Sequence, residues 1–265
     1  MSRILAVSNQ KGGVGKTTSC VSLGACLAEL GHPTLIVDLD PQAHLTMACG
    51  LDPEELEFTN VDLIDPDTED VGVSRMGSII VQTGFERLDV LPTDQRLAEL
   101  EFTLHDHPGY EQILANVFEP LSSKYDYILI DCPPSMGALT IIALTAADTA
   151  LIPVQCDYFA TRGLMRLLDI IEAVRQRTNP GLCYALFVTM YDARPLISRR
   201  VLEQLRANFS DEIFDSVIGL DTRLRESVMA NEPVISYATK TRASSQYRKL
   251  AAELIRRIET RGTTE

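Results

Sequence analysis

Within six residues this chain places two lysines and three glycines where a strand gives way to a helix. The run Gln10-Lys11-Gly12-Gly13-Val14-Gly15-Lys16-Thr17-Thr18 follows the strand-like Ile4–Ser8 and leads into a helical pattern over Thr17–Leu30. A glycine-rich loop in that position is what a phosphate cradle needs. Backbone N–H groups can converge on an anion and the helix dipole adds positive potential, while Lys16 supplies a point charge and the Thr17 hydroxyl can ligate Mg²⁺. The usual spacing G-x-x-x-x-G-K-[ST] fails by one residue, because Gln10 stands at the first glycine position and an extra lysine, Lys11, follows it. A plain phosphate loop accounts for Lys16 but not for Lys11.

Three carboxylates are placed to join this loop. Thr34-Leu35-Ile36-Val37 ends in Asp38-Leu39-Asp40-Pro41-Gln42, and strand alternation puts Asp38 and Asp40 on one side. The apolar run Tyr127-Ile128-Leu129-Ile130 delivers Asp131, followed by Cys132-Pro133-Pro134. Parallel strands bring such residues to the carboxyl edge of the sheet, where α/β folds bind ligands, and Asp131 is placed there to hold a water on Mg²⁺.

The elements that must position these groups alternate. Strands are expected at Ile4–Ser8, Thr34–Asp38, Leu88–Leu91, Tyr127–Asp131, Ala150–Val154 and Ala185–Thr189. Helices are expected at Thr17–Leu30, Tyr110–Leu121, Leu139–Ala146, Leu164–Arg177, Ser198–Asn208 and Ser245–Thr260. The fold class is α/β, a doubly wound and mostly parallel sheet with helices on both faces. Several of the strands are continuous apolar runs, as strands covered on both faces should be. One domain over residues 1–265 is sufficient for this length, with 51–77, rich in Asp, Pro and Gly, as an irregular acidic excursion.

The net charge of −13 is unevenly spread. Residues 1–191 hold 11 Lys/Arg against 26 Asp/Glu, whereas residues 192–265 hold 13 against 11. Nine carboxylates fall between positions 52 and 70 with no basic residue among them, the pattern of a solvated loop or a partner-binding surface. The six cysteines form no C-x-x-C pair and no cluster with histidine, so small core residues of a reduced, cytoplasmic protein are expected. Ile4–Val7 is too short for a signal peptide, and 138–154 carries Asp148 and Pro153 and falls short of a membrane span.

The string KGGVGKTT resembles the deviant Walker A box of the ParA/MinD family of P-loop NTPases. VDLDPQ, ILIDCPPS ending at Ser135, LIPVQC over 151–156 and VTMYDAR over 188–194 extend the resemblance over most of the chain, and they look more like Soj-type ParA proteins than like MinD. The resemblance implies an ATP-dependent homodimer in which Lys11 reaches the phosphates of the partner's ATP. Lys16 and Gly12, Gly13, Val14, Gly15, Thr17 and Thr18 bind the nucleotide, Asp40 directs the attacking water, and Thr17 and Asp131, with Asp38 in support, serve Mg²⁺. Met190 and Asp221 carry over to the adenine pocket. Two stretches depart from the family: Ile218-Gly219-Leu220-Asp221 replaces the usual IPRN, and Arg225-Glu226-Ser227-Val228 replaces SEAP. Asp221 keeps an acceptor for an adenine amino group but loses the amide donor.

By the same resemblance the chain is expected to associate with the nucleoid, binding DNA without sequence preference, and a ParB-like adaptor stimulates its hydrolysis. The N-terminal operator-reading extension of some plasmid relatives is not expected. Candidate DNA contacts are Arg194, Arg199, Arg200, Arg223, Lys240, Arg242, Arg248 and Lys249, in the basic-enriched part, with Arg194 and Arg223 matching DNA-contacting arginines of Soj-type proteins. Leu250, Ala251, Leu254, Ile255 and Ile258 share one face of the last helix, with Lys249, Arg256 and Arg257 mostly opposite, as for a helix that packs its apolar face on the domain. Stable membrane association is not expected, since the helix lacks Trp and Phe. A MinD-like membrane-cycling ATPase and an ATP-dependent ligase of the same superfamily remain alternatives.

Overall fold

The computed structural model describes residues 2–68, 73–158 and 160–262. Its eight strands are β1 Arg3–Val7, β2 Thr34–Asp38, β3 Val81–Gln82, β4 Leu88–Leu91, β5 Tyr127–Asp131, β6 Thr149–Gln155, β7 Cys183–Tyr191 and β8 Ile213–Gly219. They form one sheet in the order β3-β4-β2-β5-β1-β6-β7-β8, parallel except for β3 against β4. The helices are α1 Lys16–Glu29, α2 His44–Ala48, α3 Val61–Ile64, α4 Val73–Ile79, α5 Arg96–Thr103, α6 Ile113–Phe118, α7 Ala138–Ala146, α8 Ala160–Arg177, α9 Leu196–Asn208, α10 Arg223–Met229, α11 Val234–Tyr237 and α12 Arg242–Gly262.

Side-chain alternation sorts the core into two layers. Leu5 and Val7 of β1, Ile36 of β2 and Leu129 of β5 pack with α1, α11 and α12. Their neighbours Ala6, Leu35, Val37, Ile128 and Ile130 pack with α5 to α9 on the other face. All five residues of β2 and of β5 are buried, as strands between two helical layers should be. The sheet is therefore doubly wound, with β1 near its centre.

The expected strands and long helices are present with small shifts at their ends. Tyr110–Leu121 is not a single helix: α6 is flanked by 3₁₀ turns at Tyr110–Gln112 and Glu119–Leu121. Pro120 has no N–H to extend an α-helical ladder. The acidic excursion is more ordered than its composition suggests, because α3 and α4 bury Val61, Ile64, Met76 and Ile79 in the core; residues 69–72 lie outside the described part.

Strand β8 escaped the sequence pattern because Asp215 and Ser216 interrupt its apolar run. Their N–H groups face no further strand and donate instead to the Glu253 carboxylate of α12, at 2.8 and 3.0 Å. The helix thereby caps an edge that could otherwise pair with another chain.

Candidate active site

The loop after β1 is tied down from both sides. Ser8 N–H donates to the Leu151 carbonyl at 3.1 Å, the Asn9 amide donates to the Pro153 carbonyl at 2.7 Å, and the Thr189 hydroxyl holds the Val14 carbonyl at 2.8 Å. Gly13 and Gly15 have φ of 72° and 87°, a left-handed conformation in which a side chain is strained. Gly15 is the N-cap of α1 with no side-chain cap, so the first N–H groups of the helix are left for an anion. Lys16 opens that helix and is 7% exposed.

Strand register brings the carboxylates to the same edge. Asp131 of β5 stands opposite Val7 of β1 and Asp38 of β2. Asp131 is fully buried, and neither of its oxygens has a hydrogen-bond partner among the described residues. Burial, followed by the Asp38 charge, pushes its pKa well above the ordinary carboxylate value, against the Thr17 hydroxyl and the Lys16 ammonium. Such a buried, unsatisfied carboxylate fits a divalent cation shared with phosphates. Among the described residues no group of three or more His, Cys, Asp or Glu could cage a metal alone. Mg²⁺ keeps its waters and leans on one or two carboxylates and the substrate, so it needs no such cage.

Asp38 is placed differently. Its Oδ2 accepts from the Thr46 N–H at 2.8 Å and the Thr46 hydroxyl at 2.7 Å, and its Oδ1 accepts from the Asp40 N–H at 3.2 Å. Burial raises its pKa to about 6 in spite of the bonds from Thr46. Asp40, 8% exposed, accepts from the Gln42 N–H at 3.0 Å through one oxygen. Lys11 is held within its own chain, donating to Gln155 Oε1 at 2.9 Å and ion-pairing with Asp157 just beyond β6.

A sequence profile described as an AAA domain matches residues 2–184. The sporulation initiation inhibitor protein Soj of Bacillus subtilis is 40% identical over 255 residues, which span 96% of this chain and 98% of Soj. The chain belongs to the ParA/Soj-type ATPases. The chromosome partitioning protein ParA of Caulobacter vibrioides is 38% identical over 258 residues, 96% of this chain and 94% of its own. A Mycobacterium smegmatis structure described as cobyrinic acid a,c-diamide synthase with bound ATP analog and magnesium superposes with a TM-score of 0.83. It is 35% identical, with 98% of this chain and 96% of that one covered.

In this ParA-type chain a pocket adjoins the phosphate loop, lined by Gly15, Thr18, Met190, Leu220, Asp221, Leu224, Arg225, Val228 and Tyr247. Met190 and Asp221 are thus brought together with the loop. Met190 has a φ of 50°, unusual for a residue with a side chain. Asp221 Oδ1 caps the turn into α10 by accepting from the Arg223 N–H at 3.1 Å. Sequence reasoning missed Tyr247, which is buried on α12 and bonded to Ser19 of α1 at 2.9 Å. It also missed Thr46 and Asn60 behind Asp38; nothing in their spacing alone marks them.

The basic candidates divide. Arg248 makes a two-pronged pair with Glu29, at 2.6 and 2.8 Å. Arg242 donates to the Leu220 carbonyl at 2.5 Å, Arg194 is chelated by Asp192, and Arg223 pairs with Glu226 at 3.0 Å. Arg199, Arg200, Lys240 and Lys249 are exposed, and no hydrogen bond or ion pair of theirs occurs among the described residues. Leu250, Ala251 and Leu254 are buried in the core, with Ile255 and Ile258 packed against it, so the apolar face of α12 is covered by its own domain. No described helix is long and apolar enough to cross a membrane.

Proposed function

We propose that this chain is an ATPase that dimerises around MgATP, binds DNA without sequence preference in that state, and positions or segregates a cargo. A ParB-like adaptor accelerates its hydrolysis. The observation that carries the reading is the second lysine of the phosphate loop. Lys16 is buried at the helix N-terminus, where its charge serves the nucleotide of its own chain. Lys11 points to the end of β6, toward Gln155 and Asp157, and is available to a partner's phosphates once that pair opens. The names of the Soj and ParA relatives supply the cellular role.

The residues divide the work as phosphoryl transfer requires, by positioning and charge stabilisation. The loop N–H groups from Gly12 to Thr18 and the Lys16 ammonium hold the phosphates. Thr17 and Asp131 are the groups that would hold Mg²⁺, which supplies charge neutralisation on the phosphate oxygens. Asp40 orients the attacking water, and Lys11 of the other subunit completes the positive clamp. A clamp shared between two chains is slow alone, which suits a timer. Arg199, Arg200, Lys240 and Lys249, with Arg194 and Arg223, form the DNA-facing set.

Sedimentation tests the dimer. With ATP, Asp40→Ala is expected to accumulate as a dimer that does not hydrolyse, and Lys11→Ala to bind ATP as a monomer. A monomeric, ATP-loaded Asp40→Ala protein sinks the reading. DNA is tested with the Asp40→Ala dimer on unrelated duplexes over a salt series, where affinity should exceed that of the ADP state and fall steeply with salt. Equal affinity in both nucleotide states removes DNA as the track, and tight binding to anionic vesicles favours the membrane-cycling alternative. Turnover that requires a small-molecule co-substrate favours a synthase, the class named for the Mycobacterium smegmatis neighbour.

A further inference from the structure

We propose that Thr46 and Asn60 are positioning residues for hydrolysis, holding Asp38 and, through it, the backbone from which the Asp40 carboxylate is aimed. The proposal rests on the reading of Asp40 as the water-directing group.

Both carboxylate oxygens of Asp38 are engaged by the protein. Its Oδ2 takes both the N–H and the hydroxyl of Thr46, and its Oδ1 takes the N–H of Asp40. A carboxylate so engaged fixes the peptide of Asp40 in addition to setting a charge beside Asp131. The hydroxyl of Thr46 is itself fixed, because it donates its one hydrogen to Asp38 and accepts the Thr93 N–H at 3.0 Å. On the other side of the same residue, the Asn60 side chain donates to the Asp38 carbonyl at 2.5 Å. Asn60 is anchored in turn by its N–H on the Pro92 carbonyl at 2.9 Å, and its neighbour Thr59 by a hydroxyl bond to Asp94 at 2.7 Å.

Asp40 is thereby held at both ends of a short turn. Its N–H is on Asp38, its carbonyl accepts the Ala43 N–H at 2.8 Å, and Ala43 takes a left-handed φ of 51° before α2 begins. Thr46 and Asn60 are fully buried. Neither lines the pocket that adjoins the phosphate loop, and neither belongs to that loop. Losing Thr46 therefore releases the Asp38–Asp40 hinge while leaving phosphate contacts and the Lys11 interface in place.

The test compares Thr46→Val, which keeps the shape and removes the hydroxyl, with Thr46→Ser, which restores it. For Thr46→Val, kcat should fall by roughly 10- to 100-fold, the scale of a small misplacement of a reacting group, with KM for ATP and ATP-dependent dimerisation nearly unchanged. Thr46→Ser should recover most of that loss. Asn60→Ala, acting through the carbonyl side, should lower kcat in the same direction and serves if Thr46→Val does not fold. Thr46→Val turning over at the wild-type rate overturns the proposal, as does a loss shared equally by kcat and ATP affinity, or a Ser variant as slow as Val. Asp40→Ala is run alongside. If it hydrolyses normally, the reading of Asp40 has failed; if it is dead while Thr46→Val is normal, only the positioning role has failed.

Discussion

The carboxyl ends of β1, β2 and β5 and the last seventy residues handle charge in opposite ways. At the strand ends Asp131 is fully buried with no full hydrogen bond among the described residues, only the Thr17 hydroxyl and the Lys16 ammonium near it, and Lys16 is nearly buried with no ion pair among them. In the C-terminal part the buried carboxylate, Glu253, is satisfied by two backbone N–H groups and by Arg257 at 3.1 Å, and Arg248 is locked to Glu29. A buried carboxyl left without a full partner costs stability, as expected where a bound cation and phosphates would complete the site. The paired charges of the C-terminal part hold α12 against β8 and α1. What that part leaves for a partner is Arg199, Arg200, Lys240 and Lys249, which make no ion pair among the described residues, and Arg194 and Arg223, held only by exposed local pairs.

The largest effect that could break this contrast is at Lys16. Lys16→Ala should weaken ATP binding by roughly two orders of magnitude or more, since it removes one partner of a buried charge contact. Titration calorimetry with ATP and Mg²⁺ reads it, and an affinity within a few-fold of wild type means that the buried lysine is not the phosphate contact. In the C-terminal part a comparable loss should come from packing instead. Leu254 is 3% exposed in the core, so Leu254→Ala should destabilise the chain by about 2–5 kcal/mol, measured by urea unfolding.

Asp131 sharpens the comparison because function and stability should move in opposite directions. Its folded pKa lies above the unfolded value, so the folded chain binds this proton first as pH falls. The ionised group therefore lowers stability at neutral pH, and that cost fades on acidification. Asp38 behaves likewise, its cost fading as pH drops from about 6 toward the ordinary aspartate range. Asp131→Asn should raise the stability of the nucleotide-free protein by about 1–3 kcal/mol at neutral pH, with a smaller gain at acid pH, while Mg²⁺-dependent hydrolysis is lost. Thermal melts across pH check the sign; an Asn variant less stable at neutral pH contradicts it.

The two regions also differed in legibility. The phosphate loop, Asp38, Asp40 and Asp131 lie at or just beyond the ends of continuous apolar strands, where local pattern and function coincide, and the strand ends could be read within a residue or two. Thr46 and Asn60 could not be assigned a role, because they reach Asp38 from 8 and 22 positions away through contacts that only the fold creates. The basic residues of the C-terminal part were legible as a charge balance but not individually. Arg248 and Lys249 are adjacent in sequence, yet one is tied to Glu29 and the other is exposed. Helix α5, whose Leu97 and Leu100 are buried, was hidden because its polar residues dilute a short apolar stripe.

The smallest expected effect separates the cations of the C-terminal part from one another. Arg248 bonds Glu29 on α1 and the Thr239 carbonyl, so Arg248→Ala should cost about 1 kcal/mol or less of stability, as for a partly exposed ion pair, with little change in DNA affinity. Arg199 and Arg200, exposed on the first turns of α9, make no contact whose loss the fold would feel. Replacing both by alanine should leave stability within about 0.5 kcal/mol, the usual range for such surface changes. If they neutralise phosphates, the same double variant should weaken binding to unrelated duplexes alike and make the slope of log affinity against log salt shallower by about 2 per subunit, about 4 for the dimer. Unfolding curves and a salt series on the Asp40→Ala background measure both quantities in one set of proteins. An Arg248 variant that loses DNA affinity while the Arg199/Arg200 variant keeps it would invert the assignment of Arg248 to structure and of Arg199 and Arg200 to the partner.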